Sequence, residues 1–423
     1  MGRETTASDT PVRFAWRALW TSRLLILICG VLAVLSFGRA PATDGFDPAR
    51  LTAPFGYFGN LLAAPFVRWD SVWYLAIAQG GYDHQPSKTA FFPLYPLMMR
   101  GLGIVIGSEL IAGVIISLLA FGVALVLLQR LVTLELGERR AQVTVLLLAF
   151  CPMAYFFSAV YSESLFLALS VGCIYAARVG RWSWAAILGA LAAASRNGGV
   201  VLVVPLVLLY LYGPRTDRAA VVRTGSGWWA RVRPVHGIRR SFAWIALVPV
   251  GLGAYLGFLA LKTGDGLAPF HVQQVWFRHF AGPFGGVWDG IVAAWDGLRQ
   301  LIHGPPPPLY FTKAGGDPLQ VAGQNLMLFG FLVLGAVACV GAFRRLPIAY
   351  GAYALAALAL PLTYPVGPQP LASLPRYEVV LFPLFMWAAV WLEKRRLSTH
   401  AIAANAVLLG LFTAEFATWR FVA

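Results

Sequence analysis

The chain alternates between long apolar runs and polar connections over almost all of its 423 residues. Most runs hold roughly 17–22 residues, enough for a helix to cross a hydrocarbon core about 30 Å thick. Lipid offers no hydrogen-bond partners, so such runs are expected to be helices that satisfy their own backbone groups. We therefore predict an all-α, polytopic membrane protein with about eleven membrane-spanning helices. The predicted spans are 23–38, 110–128, 142–158, 162–178, 182–195, 199–212, 241–261, 321–342, 346–362, 377–392 and 402–419.

Basic residues recur on one side when these spans are threaded alternately through a membrane. The positive-inside rule assigns that side to the cytoplasm. In a soluble chain, the net charge of +15 would suggest a nucleic-acid partner. Here the positive-inside rule explains the basic residues, so no nucleic-acid partner is expected. The basic clusters lie near 13–23, 130–140, 178–181, 215–240, 344–345 and 394–396.

The opposite, external side receives two long segments, about 39–109 and 262–320, and the short connection 363–376. The long segments hold about half of the acidic residues and are expected to contain interfacial helices. We therefore expect the chemistry of the protein on the external face, within a single domain that comprises 1–423. Cytosolic nucleotides do not reach that face, so an enzyme there needs a donor carried on lipid. The sequence contains no P-loop and no dinucleotide-binding glycine motif.

Composition supports the membrane assignment and argues against bound metals. The chain is 59% hydrophobic and only 12% charged. Its four cysteines all fall within apolar spans, where they are expected to be small core residues without disulfides. The six histidines form no HExxH motif and no close cluster with cysteine, so we expect no metal site and no other cofactor. The first span lacks a convincing cleavage site and is interpreted as a retained helix, and the proline run Pro305–Pro308 as a stiff connector.

The first external segment places one acid, Asp70, among aromatic residues at the expected membrane surface. Its sequence over 68–78 is RWDSVWYLAIA. A carboxylate at this depth can act as a base on a substrate whose other end is a lipid. Alternatively, Asp70 caps a short helix that begins at Ser71 and stops at Gly80 and Gly81. Asp70 can be both a base and a helix cap, because a capping position fixes a carboxylate firmly.

Four sequence blocks, in a fixed order along most of the chain, carry a resemblance to a known family. Together they cover about a tenth of the residues. They resemble the GPI mannosyltransferase II (PIG-V-like) family, which belongs to the GT-C class of membrane glycosyltransferases that use polyprenyl-phosphate sugars. The blocks are 68–82 with 90–96 (AFFPLYP), 151–166 (CPMAYFFSAVYSESLF), 194–198 (ASRNG) and 374–377 (LPRY).

The resemblance implies a GT-C-like fold, a polyprenyl-phosphate sugar as donor, a glycolipid or glycan as acceptor, and Asp70 as the catalytic base. An inverting transfer needs one carboxylate to take the proton of the attacking hydroxyl, whereas retaining glycosidases use a pair. The leaving group is already a phosphate, so no acid has to protonate it. Asp70 and Asp83 are too far apart for a DxD metal site. We expect an inverting mannosyltransferase in a bacterial plasma membrane or a eukaryotic endoplasmic reticulum membrane.

Three charged residues are candidates for supporting this chemistry. Glu163 begins the span 162–178, where an ionisable side chain is costly and indicates a functional site. The functional interpretation is that Glu163 binds the acceptor or orients an arginine. The alternative is that it is an interfacial acid that pairs with an arginine and only stabilises the fold. Arg196 lies on the external side against the charge rule, and Arg376 is the only basic residue of its connection. Both are candidates for gripping the donor phosphate, or are simply arginines that extend to the interface.

The remaining candidates for substrate contact lie in the two long external segments. Arg68, Trp69 and Tyr82 belong to the first and flank Asp70 in the block that carries the resemblance. His271 and Gln274 belong to the second, where polar groups alternate with aromatic ones. That alternation fits sugar binding and fits an ordinary interfacial helix equally well.

Two other classes of function compete with transfer. A transporter or flippase of lipid-linked sugars tends to show repeat symmetry and a site at mid-membrane, and this chain shows no repeat. A membrane assembly factor would leave the acid and its aromatic neighbours unexplained. Both hypotheses therefore rank below the glycosyltransferase.

Overall fold

The structure, a computed structural model, describes residues 11–40, 43–83, 85–218, 233–304, 318–367, 369–420 and 422. Within these ranges every regular element is a helix, and the only strand-like pairing is an isolated antiparallel bridge between Arg278 and Val366. The predicted all-α class is therefore confirmed. The predicted proline connector, Pro305–Pro308, lies outside the described residues.

The helices follow one another with short connections. Five are 3-10 helices: Pro86–Ala90, Ala154–Phe157, Asn197–Leu202, Arg240–Leu247 and Val272–Trp276. The described α-helices are α1 (Pro11–Phe37), α2 (Thr43–Phe46), α3 (Tyr57–Ala63), α4 (Ser71–Gly80), α5 (Leu94–Ile106), α6 (Glu109–Leu136), α7 (Glu138–Ala149), α8 (Glu163–Arg178), α9 (Trp182–Ser195), α10 (Val203–Tyr212), α11 (Val250–Thr263), α12 (Ala268–His271), α13 (Gly285–His303), α14 (Pro318–Arg345), α15 (Ile348–Thr363), α16 (Leu374–Glu378), α17 (Phe382–Lys394) and α18 (Ser398–Ala417).

Five helical segments are long and apolar enough to cross a membrane. They are α1, α6, α14, α18 and the continuous segment Arg240–Thr263. Shorter apolar helices, among them α5, α9 and α15, accompany them. The apolar runs thus form the helices that their composition predicts. The count of about eleven crossings stays a prediction.

Two predicted spans are not continuous helices, and each is interrupted near a proline. The span 142–158 is interrupted because α7 ends at Ala149, before Pro152, and a 3-10 turn follows it. The span 377–392 is interrupted between α16 and α17, and Pro383 lies in the first turn of α17. Proline lacks the N–H that a helix interior requires, so it is tolerated at a first turn and terminates a helix elsewhere. The external segment 39–109 also contains the apolar helix α5, which the predicted spans omit.

The break after α7 lies at the centre of the molecule. Every residue from 153 to 174 is buried, and α8 packs between α6 and α9. Arg23 of α1 reaches this break, where its guanidinium donates to the carbonyl oxygens of Ala149 and Ala154 at 3.0 and 2.9 Å. It also donates to the Ser158 hydroxyl at 2.9 Å. A buried helix end needs such partners for its free carbonyls, so Arg23 stabilises the segment that leads into Glu163.

Candidate active site

A cavity of about 1390 Å³ lies where the two long segments that are predicted to be external meet residues 416–422. Its lining comes from parts of the sequence that are far apart. These parts are 37–40, 69–74, 90–92, 155–161, 195–197, 269–278, 320–324, 366–377 and 416–422. The cavity therefore forms only when the whole helical assembly is in place.

The described residues that line this cavity carry a strong excess of positive charge. Five are arginines and one, Asp70, is a carboxylate. A cleft lined by one sign of charge attracts a ligand of the opposite sign. We call it the arginine cavity, and its arginines are Arg39, Arg196, Arg278, Arg376 and Arg420.

Asp70 is held in place through its backbone. Its N–H donates to the Tyr161 hydroxyl at 3.1 Å, and that hydroxyl donates to the Arg68 carbonyl at 3.2 Å. Trp69, between them, has a φ of +51°, a left-handed conformation that is costly for a bulky side chain. The Asp70 side chain makes no capping hydrogen bond to α4, so the alternative that it serves as a side-chain N-cap is wrong. Its carboxylate is left to line the cavity.

The carboxylate of Asp70 is one end of a chain of four charged groups. Arg376 donates through Nη1 to Asp70 Oδ2 and through Nε to Glu163 Oε1. Arg196 Nη1 lies 2.7 Å from the same Glu163 oxygen. Two acids thus alternate with two arginines. This alternation compensates charges that would otherwise be very costly to bury.

The two ends of this chain differ in their exposure. The Glu163 side chain is fully buried, whereas the Asp70 side chain is 25% exposed. Burial lowers the pKa of Arg376, but the charges of Glu163 and Asp70 raise it well above its ordinary value. Arg376 is therefore a permanent cation that holds Oδ2 of Asp70. No described residue bonds to Oδ1, so this oxygen is available to accept a proton.

The structure brings most of the predicted charged residues together. Trp69, Asp70, Arg196 and Arg376 line the cavity, and Glu163 lies behind them. Glu163 contacts both arginines, as its predicted role in orienting an arginine requires. The acid and the basic residues therefore form one site, although 306 residues separate Asp70 from Arg376.

Four other predicted substrate contacts do not line this cavity. Arg68 is 1% exposed and donates to the carbonyl oxygens of Ala417 and Val67. Tyr82 is buried, with its hydroxyl bonded to the Phe91 carbonyl. The physical reason is the same for both, because each satisfies a buried backbone carbonyl and so stabilises the fold beneath the site.

The other two of these residues lie in the second external segment. His271 is exposed, with Nδ1 2.8 Å from Asp265 Oδ2. Gln274 is also exposed, and its neighbour Gln273 lines the cavity in its place. The 3-10 helix Val272–Trp276 sets this register, which the alternation of polar and aromatic residues did not determine.

Arg278 is a cavity residue that the sequence interpretation did not single out. It donates to the Tyr364 carbonyl at 2.8 Å, and its guanidinium lies 5.8 Å from the centre of the Tyr377 ring. Its basic charge on the predicted external side was a usable signal, the same one that marked Arg196. Trp419 and Arg420, which reach the cavity from the end of the chain, carried no comparable signal.

Replacing Tyr161 by phenylalanine is expected to loosen Asp70 without removing it. The change leaves the Asp70 N–H without its partner, at about 1–3 kcal/mol for an unsatisfied buried group, whereas the Arg68 carbonyl still accepts from the Ser71 N–H. Thermal denaturation of the purified protein should therefore show a lower unfolding temperature. Tyr155→Phe is the matched control, because the hydroxyl of that buried cavity tyrosine donates, among the described residues, only to the Met153 sulfur, at 3.7 Å. Equal effects of the two changes would contradict the role assigned to Tyr161.

Comparison with known proteins finds a family model that matches part of the chain. Residues 18–211 match the family model described as Mannosyltransferase (PIG-V). Over these residues the chain is similar to the PIG-V mannosyltransferases. The resemblance inferred from the four sequence blocks is thereby confirmed. The PIG-V region contains Asp70, Tyr161, Glu163 and Arg196, whereas Arg376 lies outside it.

Curated relatives show the same correspondence. GPI alpha-1,6-mannosyltransferase 2 of Rattus norvegicus is 32% identical over 179 residues, which are 38% of this chain and 35% of the rat protein. The protein of that name from Mus musculus is 34% identical over 37% of this chain and 34% of its own length. Each match thus spans about a third of the length of the relative.

One solved structure overlaps nearly the whole chain. It is the apo crystal structure of an oligosaccharyltransferase from Archaeoglobus fulgidus, at 13% sequence identity and a TM-score of 0.45. The overlap covers 97% of this chain and 56% of the archaeal one.

Proposed function

We propose that this chain is an inverting mannosyltransferase of the external membrane face. It takes mannose from a polyprenyl-phosphate carrier and transfers it to a hydroxyl of a glycolipid or glycan. The observation that carries the proposal is the contact between Asp70 and Arg376 at the wall of a cavity in which arginines outnumber acids five to one. A single acid beside several cations is the set of groups that this transfer needs.

The reaction balances with these groups alone. Asp70 takes the proton of the acceptor hydroxyl as its oxygen attacks the anomeric carbon of mannose. The bond from that carbon to the phosphate oxygen breaks, and the phosphate leaves with the electron pair. Attack from the opposite side of the ring converts a β-linked donor into an α-mannoside. The acid keeps the proton until water removes it.

The arginines divide into two roles in this proposal. Arg376 already bonds to both acids, so it positions Asp70. Arg196 and Arg278 line the same cavity and bind the phosphate, because a guanidinium fork matches phosphate oxygens. They stabilise the negative charge that grows on the leaving group, which is a major source of catalysis in such reactions.

The apolar part of the cavity wall suits the lipid portion of the donor. Phe37, Phe46, Phe270 and Val275 line the same space as the arginines. Helices such as α1 and α6 are apolar enough to hold the protein in a bilayer. We propose a multi-pass protein whose donor enters with its phosphate at the arginines and its chain along these side chains.

Transfer by the purified protein in lipid nanodiscs tests the proposal. We expect polyprenyl-phosphate-mannose to serve as donor for membrane glycolipids and GDP-mannose to give no product, with mass spectrometry as the measurement. The product should carry an α-linked mannose. Movement of the lipid-linked sugar across vesicles without a new glycosidic bond would instead support the transporter hypothesis.

A further inference from the structure

A second cavity, of about 430 Å³, lies beside the arginine cavity. It is formed by α13, the first turns of α14 and the connection near Gly367. Val321 of α14 lines both cavities. One ligand can therefore contact both across this part of α14.

The charge of the second cavity is opposite to that of its neighbour. Asp289 and Asp296 line it, and its described lining contains no arginine and no lysine. The two acids are seven residues apart on α13, so they share one face of that helix. An anionic group is thus attracted to the arginine cavity and repelled by the acids of the second cavity.

Close helix packing brings this face of α13 against α14. Gly297 lies on α13, where a Cβ atom would come within 2.8 Å of the Ala322 carbonyl oxygen of α14. A larger residue would hold the two helices apart. The approach places Asp296 of α13 and Asn325 of α14 in the lining of one cavity.

Asn325 gives an independent indication of a ligand. Its side chain lines the second cavity, the residue is only 7% exposed, and it makes no side-chain hydrogen bond within the described part of the chain. A buried amide without partners is costly, so such groups are normally bonded to protein, water or ligand. An amide offers two donors and one acceptor oxygen, which hydroxyl groups can satisfy.

Trp288 completes the set of groups. It lines the cavity with 69% of its surface exposed, so its ring face is available to a ligand. An exposed indole packs against the C–H face of a sugar ring, while carboxylates and amides bond to the hydroxyls at its edge. A protonated amine would pair with the carboxylates, and an acidic sugar would be repelled by them.

We propose that the second cavity binds a neutral or amino sugar unit of the acceptor. This inference rests on the proposed transferase function and names the part of the acceptor that the enzyme recognises away from Asp70. The acceptor hydroxyl then reaches Asp70 while a neighbouring sugar of the same molecule lies between α13 and α14. The phosphate of the donor stays on the arginine side of Val321.

Saturation-transfer NMR on the purified protein in nanodiscs tests this site with three soluble probes. They are methyl α-D-mannopyranoside, methyl α-D-glucosaminide and methyl α-D-glucuronide. We expect one or both of the first two to bind and the glucuronide to bind about tenfold more weakly. Trp288→Ala and Asn325→Leu should each weaken binding by about tenfold, because each removes a main contact of the sugar.

Matched controls separate this site from the arginine cavity. Trp295→Ala removes another exposed tryptophan of α13 that lines neither cavity, so it should leave probe binding unchanged. Asp70→Asn should also leave it unchanged. Trp288 is largely exposed, so its truncation should not unfold the protein, and Asp289→Asn provides a second conservative variant.

Three results would overturn the inference. They are no probe binding to the unaltered protein, binding unaffected by Trp288→Ala and Asn325→Leu, or binding weakened by Asp70→Asn alone. The mannose-transfer assay reports separately on the proposed function. Transfer without probe binding refutes the sugar site only, whereas probe binding without transfer refutes the transferase.

Discussion

Replacing Asp70 by asparagine is expected to reduce mannose transfer by about 10²–10⁴-fold, the range typical of general bases. Asparagine keeps the shape of the side chain and cannot take the proton of the acceptor hydroxyl. Folding should be preserved, because the backbone bond from residue 70 to Tyr161 does not involve the side chain. Arg376 also keeps its bond to Glu163. The measurement is initial-rate transfer in nanodiscs, with thermal unfolding recorded on the same samples.

Asp265→Asn is the control for this change. That carboxylate is on the predicted external side, contacts the exposed His271 ring and the Leu267 N–H, and lines neither cavity. Its removal should leave the rate within about twofold, as expected of surface ion pairs. Retention of transfer in Asp70→Asn would remove this residue from the mechanism. A loss of similar size in both variants would show that the effect is not specific to the site.

The second large effect is expected for Glu163→Gln. The change removes the charge that both Arg196 and Arg376 contact, and it leaves Arg196 without an ion-pair partner among the described residues. Breaking a buried ion pair from one side costs about 3–5 kcal/mol, because the remaining charge stays buried and uncompensated. We expect a clear loss of thermal stability. We also expect a strong loss of transfer, because Arg376 without its ion pair to Glu163 no longer holds Asp70 in a fixed position.

Glu378→Gln is a matched control for the second effect. Glu378 is a buried glutamate that follows directly after Arg376 and Tyr377, and its Oε1 atom has no hydrogen-bond partner. Among the described residues, no cation loses an ion-pair partner when Glu378 becomes glutamine. The stability of this variant should therefore stay near that of the unaltered protein. Equal destabilisation in the two variants would show that burial, and not the pairing with arginines, determines the cost.

Local sequence patterns predicted the acids of the site well. Asp70 and Glu163 stand out because each is a carboxylate within a segment that is otherwise apolar and aromatic, and such groups are rarely tolerated without a role. Arg196 and Arg376 stand out by their position against the charge rule. The contacts among these four groups follow from charge compensation, although no local pattern gives their distances.

The sequence predicted the direction of individual side chains less well. Trp69 has a left-handed backbone conformation, so Arg68 bonds to buried carbonyls while Asp70 lines the cavity. The sequence motif that contains these residues does not show that the side chains of Arg68 and Asp70 have different surroundings. Similarly, the position of Arg278 depends on its pairing with Val366, 88 residues later, which only the tertiary fold determines.

The location of Arg376 has a consequence for how the protein is made. Glu163 is translated first, and Arg376, its second partner, is translated 213 residues later. At roughly 5–20 residues per second, the ribosome needs roughly 10–40 s to cover that distance. Until then Arg196 is the only one of the two cations present. In a nascent chain the Asp70 side chain therefore lacks its ion-pair partner, and the site is incomplete, until residue 376 has been translated.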